Sequence, residues 1–199
     1  MPLTTYAELQ AGIASFLNRD DLTATIPTFV ALAEAQMQRD VRHWRMENRA
    51  TAPVDGRYCA LPGDWVETKR LTLADGTELR LVSTATMAMA RSRDDSGTEP
   101  RFYAHVAGEI EVYPSPGEAT TLEIVYVSRV SALTDEAPTN WLLAEAPDAY
   151  LYGALMASAP YLSDDARISV WASLYAAAVA ALNARGEAAQ WSGRGLVMR

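Results

Sequence analysis

Few of the 199 residues are of types that run chemistry unaided, so their spacing is the first question. The chain has two histidines, His43 and His105, and one cysteine, Cys59. The histidines fall in segments of different character and neither has a second ligand at helical or strand spacing, so both read as structural residues. A single cysteine excludes an internal disulfide and a thiolate zinc site, and Cys59, in an alternating stretch, reads as a small buried hydrophobe. Asp20-Asp21, Asp94-Asp95 and Asp164-Asp165 offer acid–base chemistry on paper. Adjacent side chains point apart, however, and each pair lies where a turn or a helix start explains it. There is no Gly-x-Ser-x-Gly elbow, phosphate-binding loop or His-Glu-x-x-His. Trp65 and Trp141, beside Pro and Asn, could stack on a small ligand, or could pack the seam between two lobes. A soluble ligand-binding module using those tryptophans and an acid–base hydrolase thus stand as alternatives. No catalytic residue, metal ligand or cofactor site is expected.

The elements that would position such residues are organised around the stretch 140–182. Pro147 suits the first position of a helix, and Leu151, Leu155, Ser158 and Leu162 lie on one stripe of it. Pro160 removes a backbone donor and predicts a kink or frayed end before Ser163. Ser163 can cap a second run from Asp164, with Asp164 and Asp165 in its first turn. There Ile168, Trp171, Tyr175, Ala178 and Leu182 recur at helical spacing. The pattern is a helical hairpin. Between Pro147 and Leu182 the only acids and bases are Asp148, Asp164, Asp165 and Arg167, all at helix starts. A surface helix normally has a charged back face. Either other helices of the same chain surround this hairpin, or a second copy packs on it. Tyr150, Ala154, Ala157, Trp171, Tyr175 and Ala178 are the candidate bundle or ring packing residues.

Toward the N-terminus, Thr5 to Glu8 fits a capping box, followed by Leu9, Ile13 and Phe16 as a buried face ending near Asn18. Ile26-Pro27 opens a second helix with Ile26, Val30, Ala33, Met37 and Val41 at helical spacing. From Glu47 the texture becomes β. Asp75-Gly76, between two alternating runs, is the strongest short hairpin signal and predicts a type I′ turn. A second hairpin turns at Ala107-Gly108, a short helix is expected over 84–90, and residues 121–127 close the β region. The fold class is therefore α+β, a helical bundle from both ends of the chain with an inserted antiparallel β lobe. The boundaries are 1–47 for the N-terminal helices, 48–128 for the β lobe and 129–185 for the C-terminal hairpin. Residues 186–199, with three glycines and a final Leu-Val-Met-Arg, read as an extended tail.

Composition narrows the partners. The net charge is −8, spread over the whole length without a basic patch, which argues against gripping nucleic acid through its phosphates. Residues 1–20 show no basic start before an apolar core, and no apolar run reaches membrane-spanning length. A cytosolic product, or one assembled in a host cytosol, is expected. In the tail, Trp191, Arg194, Leu196, Val197, Met198 and Arg199 form an apolar terminus with two cations, a segment that needs a partner to bury it.

Taken together these residues resemble the head–tail adaptor (connector) proteins of tailed bacteriophages and related gene-transfer particles. The resemblance rests on Thr5-Tyr-Ala-Glu-Leu, Ile26-Pro-x-Phe29 with Ala33-Glu-Ala, Leu61-Pro-x-Asp64-Trp65 and Val112-Tyr-Pro-x-Pro116. It rests above all on Asn140-Trp-Leu-Leu, Pro147-Asp-x-Tyr-Leu-Tyr-Gly-Ala-Leu155, Ala159-Pro-Tyr-Leu and Trp171-x-x-x-Tyr175. It implies a helical bundle with an inserted β region, forming a ring, commonly of twelve copies, beneath the portal protein in the virion neck. The C-terminal segment would reach into the portal, a stopper or tail protein would sit below, and DNA would pass through without sequence-specific binding.

Overall fold

The computed structural model describes residues 2–93, 97–162 and 166–191. The chain divides into two compact units, Met1–Arg45 with Val130–Arg199, and Met46–Arg129.

The first unit is helical. Helix α1 (Tyr6–Leu17) begins with a capping box: Thr5 Oγ1 accepts from the Glu8 amide at 3.3 Å, and Glu8 Oε2 accepts from the Thr5 amide at 3.2 Å. It ends at Asn18, whose φ of 52° is the left-handed conformation that Asn tolerates. Its buried stripe is Tyr6, Leu9, Ile13 and Leu17. Phe16, expected on that stripe, is 49% exposed, because a 4-4 step from Leu9 through Ile13 selects Leu17 for the core. A 3-10 segment (Asp20–Thr25) then leads into α2 (Ile26–Asp40). The chain returns from the second unit through residues 130–140. Two side chains one turn apart on α2 hold that return, Gln38 accepting from the Val130 amide at 3.0 Å and Glu34 from the Leu133 amide at 2.8 Å. Helices α3 (Thr84–Ser92, in the second unit), α4 (Trp141–Glu145), α5 (Pro147–Ala157) and α6 (Arg167–Trp191) complete the set. Pro160 lies in a one-turn 3-10 segment, Ala159–Tyr161, so the expected break before Ser163 is present. The proposed cap itself, residues 163–165, lies outside the described residues.

Helix α5 is the centre of this unit and packs on α1, α2, α4 and α6. Its Ala149, Tyr150, Ala154 and Leu155 have no exposed surface. Gly153 permits the closest approach: a Cβ there would lie 3.1 Å from Ala33 Cβ on α2 and 3.3 Å from the Tyr175 ring on α6. Other helices of the same chain therefore account for the missing charge on α5.

Helix α6 runs to Trp191, six residues past the expected boundary. Glycine usually weakens a helix interior by about 1 kcal/mol. Here Gly186 is buried because α6 rests on His43, and a Cβ at 186 would meet His43 Cδ2 at 2.7 Å and its Cα at 3.3 Å. The residue that reads as a helix breaker is a contact residue. Residues 186–191 are thus helical rather than extended tail.

Among the described residues, the second unit is a sandwich of seven strands: β1 (Glu47–Val54), β2 (Tyr58–Ala60), β3 (Trp65–Leu73), β4 (Arg80–Leu81), β5 (Phe102–Val106), β6 (Glu109–Tyr113) and β7 (Thr120–Ser128). One sheet has the order β1-β7-β3, the other β2-β6-β5-β4. All pairs are antiparallel except the two-residue β4–β5 pair. Both sheets contribute to one core, including Leu71, Tyr103, Ile110, Val112, Leu122 and Ile124. Alternation along β7 places Leu122, Ile124 and Tyr126 inside, as period-2 patterning requires.

The turn chemistry differs from expectation. At Asp75-Gly76 only Gly76 has positive φ, at 89°. The Gly76 amide donates to Leu73 O and the Leu73 amide to Thr77 O, which makes a three-residue loop rather than a type I′ turn. Asp75 Oδ1 stabilises it by accepting from the Thr77 amide at 2.9 Å. The ladder beyond is a single bridge, Thr72 to Glu78, because from Arg80 the chain leaves the edge of β3 to pair with β5. The two-residue turn with both central residues at positive φ is instead Ala107-Gly108, at 52° and 84°, between β5 and β6.

Candidate interaction surfaces

Among the described residues, no group of three or more His, Cys, Asp or Glu side chains could hold a metal ion. His105 lies in the second unit, its Nε2 3.0 Å from Thr68 Oγ1 and its ring 4.9 Å from that of Trp65. Trp65 Nε1 donates to the same Thr68 hydroxyl at 3.0 Å. Burial holds the His105 pKa below its ordinary value. His43 lies in the first unit, its ring stacked on Trp141 at 5.1 Å. Each tryptophan considered for ligand stacking is thus taken up by a histidine of its own unit. Cys59 is half-buried, and burial pushes its thiol pKa up, away from nucleophilic use. It borders a cleft of about 250 Å³ lined by Ala50, Leu61, Leu71, Ile110 and Leu122, an apolar lining with no charged group to orient a ligand.

The buried polar groups serve structure. Glu111, on β6, accepts from Arg57 Nη2 at 2.6 Å and from Arg91 of α3, tying that helix to the sheet. Tyr150, wholly buried in α5, donates to Glu34 Oε1 at 3.2 Å and accepts from Asn140 Nδ2 at 2.7 Å. Burial pushes the tyrosine hydroxyl well above its ordinary pKa, and also raises that of the Glu34 carboxyl. Tyr175 of α6 donates to Asp40 Oδ2 at 2.9 Å and is shifted upward by burial and by that carboxylate. This network was not legible in the sequence, since its members come from four separate segments.

The packing candidates sort by depth. Tyr150, Ala154, Trp171, Tyr175 and Ala178 are buried within the helical unit, and Ala157 is half-buried at the end of α5. The outer face of α6 is different. From 168 to 184 the helix carries no charged residue, yet Val170 is 56% exposed and Leu174 39%. Ala177, Ala181 and Ala184 continue that line toward the C-terminus, all exposed. The 4-3-4-3 spacing is that of a seam that packs on another helix. On α2 the exposed Thr28, Ala31, Leu32 and Ala35 are likewise uncharged. Of the tail candidates, the backbone of Trp191 ends α6, while Arg194, Leu196, Val197, Met198 and Arg199 lie outside the described residues. No helix among the described residues is long and apolar enough to cross a membrane.

Among the described residues, the buried polar side chains named above bond within the chain, and the outer face of α6 is uncharged and open to solvent. The profile of the SU10 adaptor protein family matches residues 4–199, and the chain belongs to that family. It is thereby a bacteriophage adaptor, as its sequence resemblance implied. None of the curated proteins compared matches the chain.

Proposed function

We propose that the protein is a structural component of the virion neck, a ring of copies that joins the portal protein to the stopper or tail protein below. The observation that carries this reading is the outer face of α6. Seventeen consecutive residues without charge, on a chain of net charge −8, leave one face on which copies meet without like-charge repulsion. Large uncharged exposed faces mark interaction sites. In the proposed ring, commonly of twelve copies in such adaptors, this face packs on the neighbour, and the burial of α5 makes each copy a preformed building block.

The C-terminal residues are the proposed portal contact. Leu196, Val197 and Met198, flanked by Arg194 and Arg199, form a short apolar segment with cations at both ends, suited to a pocket with an acidic rim. A net acidic chain also suits a conduit wall, since like charge lets DNA pass without being held.

The test is co-expression with the portal protein, followed by electron microscopy and pull-down. Full-length protein is expected to decorate portals as rings. A chain ending at Gln190 is expected to keep its melting temperature and lose portal binding, because it retains Gly186 and the packing on His43. Retained portal binding by this truncation would remove the tail from the interface. Absence of rings or decorated portals with the full-length protein would overturn the reading.

A further inference from the structure

The connection between α2 and β1 holds a side-chain cluster that the assembly reading does not use. His43 has 4% of its side chain exposed. Its ring lies between Trp44 and Trp141, with centroids at 5.8 and 5.1 Å and both pairs inclined by 30°. Nδ1 accepts from the Arg45 amide at 3.2 Å, which places the proton on Nε2, facing Glu145 Oε2 at 3.8 Å. The third wall is α6, where Gly186 sits directly on the ring edge. One turn earlier, Asn183 brackets the end of α2: its Oδ1 accepts from the Arg42 amide at 2.7 Å and its Nδ2 donates to Asp40 O at 3.0 Å.

We infer that His43 is a proton-operated latch, whose neutral ring holds the last turns of α6 on the α2–β1 connection and whose protonation releases them. Imidazolium is a double donor with no acceptor. The proton gained goes to Nδ1, so the Arg45 N–H loses its acceptor and faces another N–H. Stacked between two indoles, the ring cannot turn that new donor toward water without leaving its place, and leaving removes the surface on which Gly186 rests. The charges around it divide. Glu145, from α4, favours the imidazolium, while Arg45 opposes it and is itself paired with Glu145 Oε1 at 3.1 Å. Asp40 is engaged by Tyr175 and Gln36, and Arg42 donates to Val41 O. From α6 the residues in contact, Asn183 and Gly186, are uncharged, and Arg185 and Glu187 are exposed. Burial outweighs Glu145 and holds the His43 pKa below the usual imidazole value. Since the folded pKa is depressed, the latch is shut above about pH 6.5 and opens as pH falls through the folded value. The Asn183 bracket does not titrate, so release is confined to the turns beyond it. None of this depends on what the C-terminal residues bind.

The experiment is hydrogen exchange on the full-length protein between about pH 7.5 and about pH 5, with rates corrected for the intrinsic effect of pH. Protection of the Arg45 amide and of residues 184–190 is expected to fall by up to about tenfold per pH unit in the acid range, one proton being taken up on opening. Protection of α5 is expected to hold. His43→Asn keeps an acceptor for the Arg45 amide but cannot titrate, and its protection is expected to stay flat. Glu145→Gln removes the charge that favours imidazolium and is expected to move the fall to lower pH. Unchanged protection in the wild type, or an equal fall in His43→Asn, overturns the latch. Should His43→Asn fail to fold, the Glu145→Gln arm decides, and an unshifted midpoint overturns it.

Discussion

Two arginine substitutions, one on each side of the helical unit, separate packing within a copy from packing between copies. Ala177 lies on the outer face of α6 and Ala154, wholly buried, on the inner face of α5. At position 177, Arg replaces Ala in a helix surface where the two residues differ by only a few tenths of a kcal/mol in propensity. The expected change in stability of the isolated chain is therefore within about 0.5 kcal/mol. In a ring, the same guanidinium is driven into an uncharged seam where nothing pairs with it, a cost of about 3–5 kcal/mol per contact. At position 154, the cost falls on the chain itself, with Tyr150, Leu155 and the facing helices leaving no path to water. It too is about 3–5 kcal/mol, which for a chain of this size lowers the melting temperature by roughly 6–20 °C. Thermal unfolding of the isolated protein and sedimentation or electron microscopy of the assembled one give the two readouts. Ala177→Arg is expected to melt like wild type and form no rings. Ala154→Arg is expected to melt early. Rings of normal stability from Ala177→Arg would refute α6 as the seam. A wild-type melting temperature for Ala154→Arg would refute α5 as the centre of the bundle.

The β turns make opposite predictions. Ala107 is exposed and held at φ 52°, so Ala107→Asn is expected to stabilise the sandwich by about 0.5–1 kcal/mol, read by chemical unfolding. Gly76→Val, at φ 89°, is expected to cost about 1–3 kcal/mol. Glu34 gives a pH signature. Burial raises its folded pKa, so its carboxylate costs stability once pH rises through that value, and the cost is absent below the unfolded value near 4.5. Glu34→Gln keeps acceptors for the Leu133 amide and the Tyr150 hydroxyl. Its melting temperature relative to wild type is expected to be more favourable at about pH 7 than at about pH 4.5. A difference independent of pH would show that Glu34 is not the group responsible.

Local chemistry determined much of this protein before any contact was known. The capping box at Thr5 and Glu8, Asn18 as a helix stop and Pro147 as a helix start depend on neighbours within one turn. So does the alternation of Leu122, Ile124 and Tyr126. They were therefore legible in the sequence, as was the α+β class, because the switch from period 3.6 to period 2 near Glu47 is itself a local pattern. Tertiary structure decided what depends on distant partners. Scarcity of charge in the stretch 147–182 was compatible with burial in one chain or between copies. Contacts with α1, α2, α4 and α6 assign α5 to the first case, while the face of α6 bearing Val170 and Leu174 stays open to solvent. Asp75-Gly76 carried the stronger turn signal, yet the run that follows it keeps only one bridge to β3 before it crosses to pair with β5, a distant strand that no local signal announces. Gly186 shows the same division. Composition marks it as the place where a helix fails, but the missing Cβ is what lets α6 lie against His43, a residue 143 positions earlier in the chain. A glycine's conformational freedom is written in its own chemistry; the space it vacates has meaning only once another part of the chain arrives to fill it.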